Sequence, residues 1–131
     1  MRLIYRIENW IDSAKWFLQR MFRGYSDIDI WNLDNYIEKS VLPKLKIFRE
    51  NTQAYPSIPG ECESFEEWQA ILDDMIFGLE FGLNDDDWYI EHVLYKKGED
   101  KEKALELFNR MQSRAQRGRE LFGKWLTALW W

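Results

Sequence analysis

Cysteine is almost absent from this chain of 131 residues: Cys62 stands alone. No intrachain disulfide can close, so a reducing compartment is the simplest expectation. With no second cysteine there is no cysteine-based zinc ligand set either. Histidine is equally scarce. A di-iron bundle needs two Glu-x-x-His pairs, and His92 is the single histidine. No stretch approaches the ~20 apolar residues that a membrane-spanning helix needs. The opening "MRLIYRIENW" scatters charges where a signal peptide has its apolar centre. The chain also lacks an excess of basic residues, with a net charge of −5 and a pI near 5.0. A duplex binder usually carries a clustered basic face. A cytosolic protein with neither duplex nucleic acid nor membrane as partner is therefore expected.

Tryptophan is abundant: eight residues, in a chain that is 17% aromatic. Trp is large and its N–H needs a partner, so a core of this size does not hide them all, and exposed aromatic binding surface is expected.

The periodicity is helical throughout. Ile4, Ile7, Ile11, Ala14, Phe17, Leu18 and Met21 share one face, and Gly24 ends that segment. Ser26 is a good N-cap, with Asp27 and Asp29 in the first turn behind it. Ile30, Leu33, Ile37, Val41, Leu45 and Phe48 form the next face, which Pro43 should kink or split near Val41. "NTQAYPSIPGEC" is a loop, and Ser64 with Glu67 makes a capping box opening a helix through Leu83. For residues 85–97 a short helix capped at Asn84 or Asp85 is favoured over a strand. Asp100 caps a long last helix with the stripe Ala104, Phe108, Met111, Ala115, Gly118, Phe122, Trp125 and Leu129. Gly118 on that stripe permits close helix–helix approach. The expectation is an all-α fold, a single domain over 1–131 with four to five helices.

Asp34 falls on the apolar arc of the second segment. An isolated buried carboxylate would cost several kcal/mol or become protonated. It should therefore pair with an arginine or face a pocket. Such a pocket would be built from Arg23, Tyr25, Asp27, Trp31 and Asp34, and aromatic faces beside an arginine and carboxylates suit a planar charged ligand such as a nucleotide. Arg110, Arg114 and Arg117 line one side of the last helix and are candidate phosphate contacts. The competing reading is a solvated flank paired with Glu106 or Glu120. Phe77 and Phe81, spaced i, i+4 among acids, are read as a protein-facing surface or as the second buried side of a central helix. Trp130 and Trp131 at the C-terminus are candidate interface residues that pack on the body or on another copy, so a homo-oligomer is a further expectation. No catalytic residue set, metal site or cofactor is legible. Asp85, Asp86 and Asp87 are the nearest approach to a metal-dependent enzyme acting on nucleotides or nucleic acid, which stands as the alternative reading.

The motif R-G-[YFW]-S-D-x-D-x-W-x-[LF]-D is met by Arg23, Gly24, Tyr25, Ser26, Asp27, Asp29, Trp31 and Asp34. Tyr55 and Pro56 follow, then E-E-W-x-x-I-L-D at Glu66, Glu67, Trp68, Ile71, Leu72 and Asp73. Together these resemble a family of small proteins of tailed bacteriophages. The resemblance implies a phage origin, residence in the host cytoplasm and a non-enzymatic accessory role. The expected function is binding: sequestering a small nucleotide signal of a host defence system, or engaging a host protein.

Overall fold

A computed structural model describes residues 2–130, with side chains from Arg6 onward. The fold is all-α: α1 (Arg2–Arg23), α2 (Asp27–Trp31), α3 (Leu33–Asn51), α4 (Phe65–Tyr89) and α5 (Gly98–Lys124). A π-helical turn, Ile90–Leu94, follows α4, and a 3-10 turn, Leu126–Ala128, follows α5. Among the described residues there is no strand, only an isolated bridge between Ile58 and Cys62. The chain divides into two compact units, one up to Ile37 and one from Glu38 on.

In the first unit, α1 stops at Gly24, whose φ of 83° is the left-handed geometry that glycine adopts without strain. The Gly24 N–H donates to the Arg20 carbonyl at 3.0 Å. Ser26 then caps α2, which lasts only five residues. Asn32 (φ −115°, ψ 53°) leaves helical geometry, and α3 starts afresh at Leu33.

The expected burial of Asp34 is a first correction. The residue is exposed, in the first turn of α3, where the helix dipole favours a carboxylate. No ion pair forms on it among the described residues. Of the two outcomes expected at Pro43, a kink or a split, the structure excludes the split: α3 runs past Val41 and through the proline without a break. Leu42 and Leu45, buried on either side of it, anchor the helix. Pro43 itself lies exposed, where a carbonyl deprived of its N–H partner can be hydrated.

In the second unit, Thr52 to Ser64 form the loop. Ser64 Oγ accepts the Glu67 N–H at 3.1 Å, while the Glu67 carboxylate accepts the Glu63 N–H at 2.7 Å. This is the expected reciprocal cap, with its return bond one residue early. No cap forms at Asn84 or Asp85, because α4 continues straight to Tyr89 before widening into the π turn. Nor does Asp100 cap the last helix. Gly98, the residue after the helix expected over 85–97, begins α5, with a φ of 60°. The core gathers Leu45, Trp68, Leu72, Met75, Leu79 and Trp125, and the Trp68 and Trp125 rings meet edge-on at 5.8 Å and 74°.

α4 and α5 cross through glycine. A Cβ at Gly118 would lie 1.9 Å from the Asp74 carbonyl oxygen, and one at Gly78 would lie 2.7 Å from that of Ala115. The two backbones touch where side chains are missing. Ala115 and Gly118 are buried and Phe108, Met111 and Phe122 partly so, as expected of the α5 stripe.

Candidate functional site

The polar side of α1 is tied to α2. Arg20 makes a two-pronged bond to Asp29, Nε to Oδ2 at 3.2 Å and Nη2 to Oδ1 at 2.7 Å. Asp29 also accepts the Ser26 N–H at 2.8 Å. The buried carboxylate is thus Asp29, five positions before the one expected. Its signal was present as the spacing of Ser26 and Asp29, the pattern of a capping box.

The Arg20 guanidinium holds the Asp29 carboxyl far below its ordinary value, and Asp29 raises Arg20 in return. The folded state therefore favours ionised Asp29. The stability this contributes is present in full above the ordinary carboxyl value of 3.8 and is lost only as pH falls through the lowered one. In an NMR pH titration the Ser26 amide resonance is expected to stay in place through pH 3.8, and Arg20→Ala to move its transition up towards that pH. A wild-type transition already at 3.8 would contradict the pairing.

Asp27 is just as fully engaged. Gln19 Nε2 donates to it at 2.9 Å, Arg23 Nη2 at 2.5 Å, and Lys15 Nζ stands 3.8 Å away. The Gln19 hydrogen bond first, then Arg23, lowers its carboxyl. Arg23 also donates to the Tyr25 carbonyl at 3.1 Å and lies 4.5 Å over the Tyr25 ring. Of the expected pocket, the structure brings together Arg23, Tyr25 and Asp27. Asp34 is exposed in α3, and Trp31 is 85% exposed.

The opposite side of α1 is apolar and open. Trp10, Ile11, Phe17, Leu18, Met21 and Phe22 are all exposed, Phe22 at 84%. A shallow groove runs along Trp10, Ile11, Ala14, Leu18 and Phe22, with Lys15, Gln19 and Arg23 at its edge. The spacing of this face was legible in the sequence. Its exposure was not, because periodicity marks an apolar face without saying what covers it.

On α5 two of the three candidate arginines are occupied. Arg110 pairs with Glu106 at 2.5 Å, the flank pairing weighed against phosphate contact. Arg114 Nε bonds Asp74 at 3.2 Å and the guanidinium lies 4.1 Å over the Phe77 ring. Arg117 is exposed.

The reading of Phe77 and Phe81 as a protein-facing surface is corrected. Phe81 is 6% exposed and Phe77 half-buried, because α4 is covered on this side as well. They open a run of ring contacts: Phe77 on Phe81, Phe81 on Phe108, Phe108 on Trp88, and Trp88 on His92. The His92 ring lies 4.5 Å from that of Trp88, with Nδ1 3.0 Å from the Trp88 carbonyl.

Trp130 is exposed and borders two grooves. One is lined by Val41, Leu45, Phe48, Phe122 and Leu129, the other by Thr52, Tyr55, Pro56, Trp68 and Ala128. Trp131 lies outside the described residues. Cys62 is fully buried, and burial pushes its thiol up, away from the reactive thiolate. Among the described residues no three of His, Cys, Asp and Glu gather as a metal site, and no helix is long and apolar enough to cross a membrane. Comparison with protein-family models, with curated proteins and with solved structures returns no match in any of the three.

Proposed function

We propose that this chain is a phage-encoded, non-enzymatic accessory protein that works in the host cytoplasm by binding another protein through the apolar face of α1. The observation that carries this reading is the open stripe of large apolar side chains on a helix whose polar side is already bonded to α2. Contiguous exposed apolar surface is uncommon on a monomer and marks interaction sites. Large aromatics such as Trp10, Phe17 and Phe22 are the side chains that anchor protein interfaces. The phage origin and the host setting rest on the sequence resemblance alone.

Capture from host lysate on immobilised chain tests it. Wild type is expected to retain a discrete partner that Leu18→Asp with Phe22→Asp loses while helicity is kept. Retention by the double variant would contradict it.

Sequestration of a nucleotide is the second reading, favoured by the exposed rings of Tyr25 and Trp31. It is weaker because Arg23, Arg110 and Arg114 each already hold a carboxylate. A phosphate would have to displace those acids or bind beside them. Thermal melting against cyclic and linear nucleotides is expected to show no shift. A rise of several degrees with one of them would reverse the preference.

A further inference from the structure

We propose that the occupant of the α1 face is α1 of a second copy of this chain, packed antiparallel. The inference rests on the reading of α1 as a protein-binding face and names its partner. Positions 4, 7, 11, 14, 18 and 21 are all apolar in the sequence and alternate steps of three and four, the a and d seam of a heptad helix. In that register Gln19, Arg20 and Arg23 fall at b, c and f, and these are the side chains that bond to Asp27 and Asp29. α2 thus covers the outer side of the heptad and leaves Ile7, Ile11, Leu18 and Met21 of the seam exposed.

The flanks of the seam decide orientation. Glu8, Lys15 and Phe22 occupy e, and Trp10 and Phe17 occupy g. In an antiparallel pair with Ile11 against the second copy's Ala14, e meets e and g meets g. Glu8 then faces the other copy's Lys15 twice, and Trp10 faces Phe17 twice. A parallel pair would set Phe17 beside Phe22 but also Trp10 beside Lys15, and would leave Glu8 with no opposite charge. Only the antiparallel arrangement satisfies both charges, and the small Ala14 at its centre lets the helices approach closely. Three heptads is short for a coiled coil, so the pair is weak and concentration-dependent. A protein partner and a second copy then compete for one face.

Sedimentation equilibrium of the full chain tests this. The mass is expected to rise with concentration from 16.0 kDa towards twice that value. Ile11→Asp should hold it at the monomer with helicity retained. Lys15→Glu puts like charges together at two places and should raise the dimerisation midpoint about tenfold, with Asp27 still held by Gln19 and Arg23. Adding Glu8→Lys reverses both pairs and should restore dimerisation. A monomer at every concentration, or a dimer that the double swap does not restore, overturns the proposal. So does a monomer recruited to phosphatidylserine vesicles, which would make the occupant a membrane surface. A monomer whose partner capture is lost in the α1 double variant overturns the second copy alone. One whose capture persists overturns the function reading as well.

Discussion

Gly118→Ala is expected to lower stability by about 3 kcal/mol or more, at the upper end of what overpacking costs. The added Cβ would sit 1.9 Å from the Asp74 carbonyl oxygen and 2.8 Å from its carbon, so it meets backbone, which cannot rotate away. Relief requires α4 and α5 to move apart, opening the core that holds Trp68 and Trp125. At a slope of about 1.5 kcal/mol/M the urea midpoint should fall by about 2 M. Two controls separate sterics from helix propensity. Nothing lies within 4 Å of a Cβ at Gly123, so Gly123→Ala should gain up to about 1 kcal/mol. At Gly82 the nearest atoms belong to the Glu38 carboxylate, the far end of a flexible side chain, so Gly82→Ala should be close to neutral. Equal losses at Gly118 and Gly82 would contradict the glycine crossing.

Trp68→Ala should cost about 3–5 kcal/mol, as deletion of a buried aromatic does. Trp68 is 1% exposed, and its edge-on contact with Trp125 adds a specific aromatic term. Trp125 is buried with no hydrogen-bond partner on Nε1 among the described residues, so close packing is what holds that indole. Against a total of about 5–15 kcal/mol for a domain, the loss is a large share. The Trp125 contribution to the near-UV dichroism should collapse and the urea midpoint fall, while Trp68→Phe should keep most of the midpoint and of the Trp125 signal. A near-native midpoint for Trp68→Ala would show that the ring is not central.

The helical class, the α5 stripe and the close approach at Gly118 were readable because each rests on local spacing or on one residue's size. The carboxylate was misplaced for a physical reason. Asp34 shares the arc of Val41 and Leu45 within α3, but periodicity does not say how far along a helix its cover extends, and the first turn of α3 is largely exposed. Asp34 is consequently exposed, and the buried acid is Asp29, the third residue after its cap. The split at Pro43 and the α4 terminus differ in the opposite direction. Local breaking signals were read as ends, whereas packing of Leu42 and Leu45 carries α3 through its proline, and α4 passes Asp85 without a new cap. The spacing of Arg110, Arg114 and Arg117 along α5 is legible in the sequence, but it does not reveal that Glu106 and Asp74 occupy two of them.

The most direct measurement is affinity for the captured partner across two sets of variants compared side by side. Leu18→Asp with Phe22→Asp alters the open stripe of α1. Arg110→Ala, Arg114→Ala and Arg117→Ala together strip the basic flank of α5. Binding should vanish with the first set and persist with the second. Loss with the arginine set and retention with the α1 set would contradict α1 as the working surface and return the function to the charged flank.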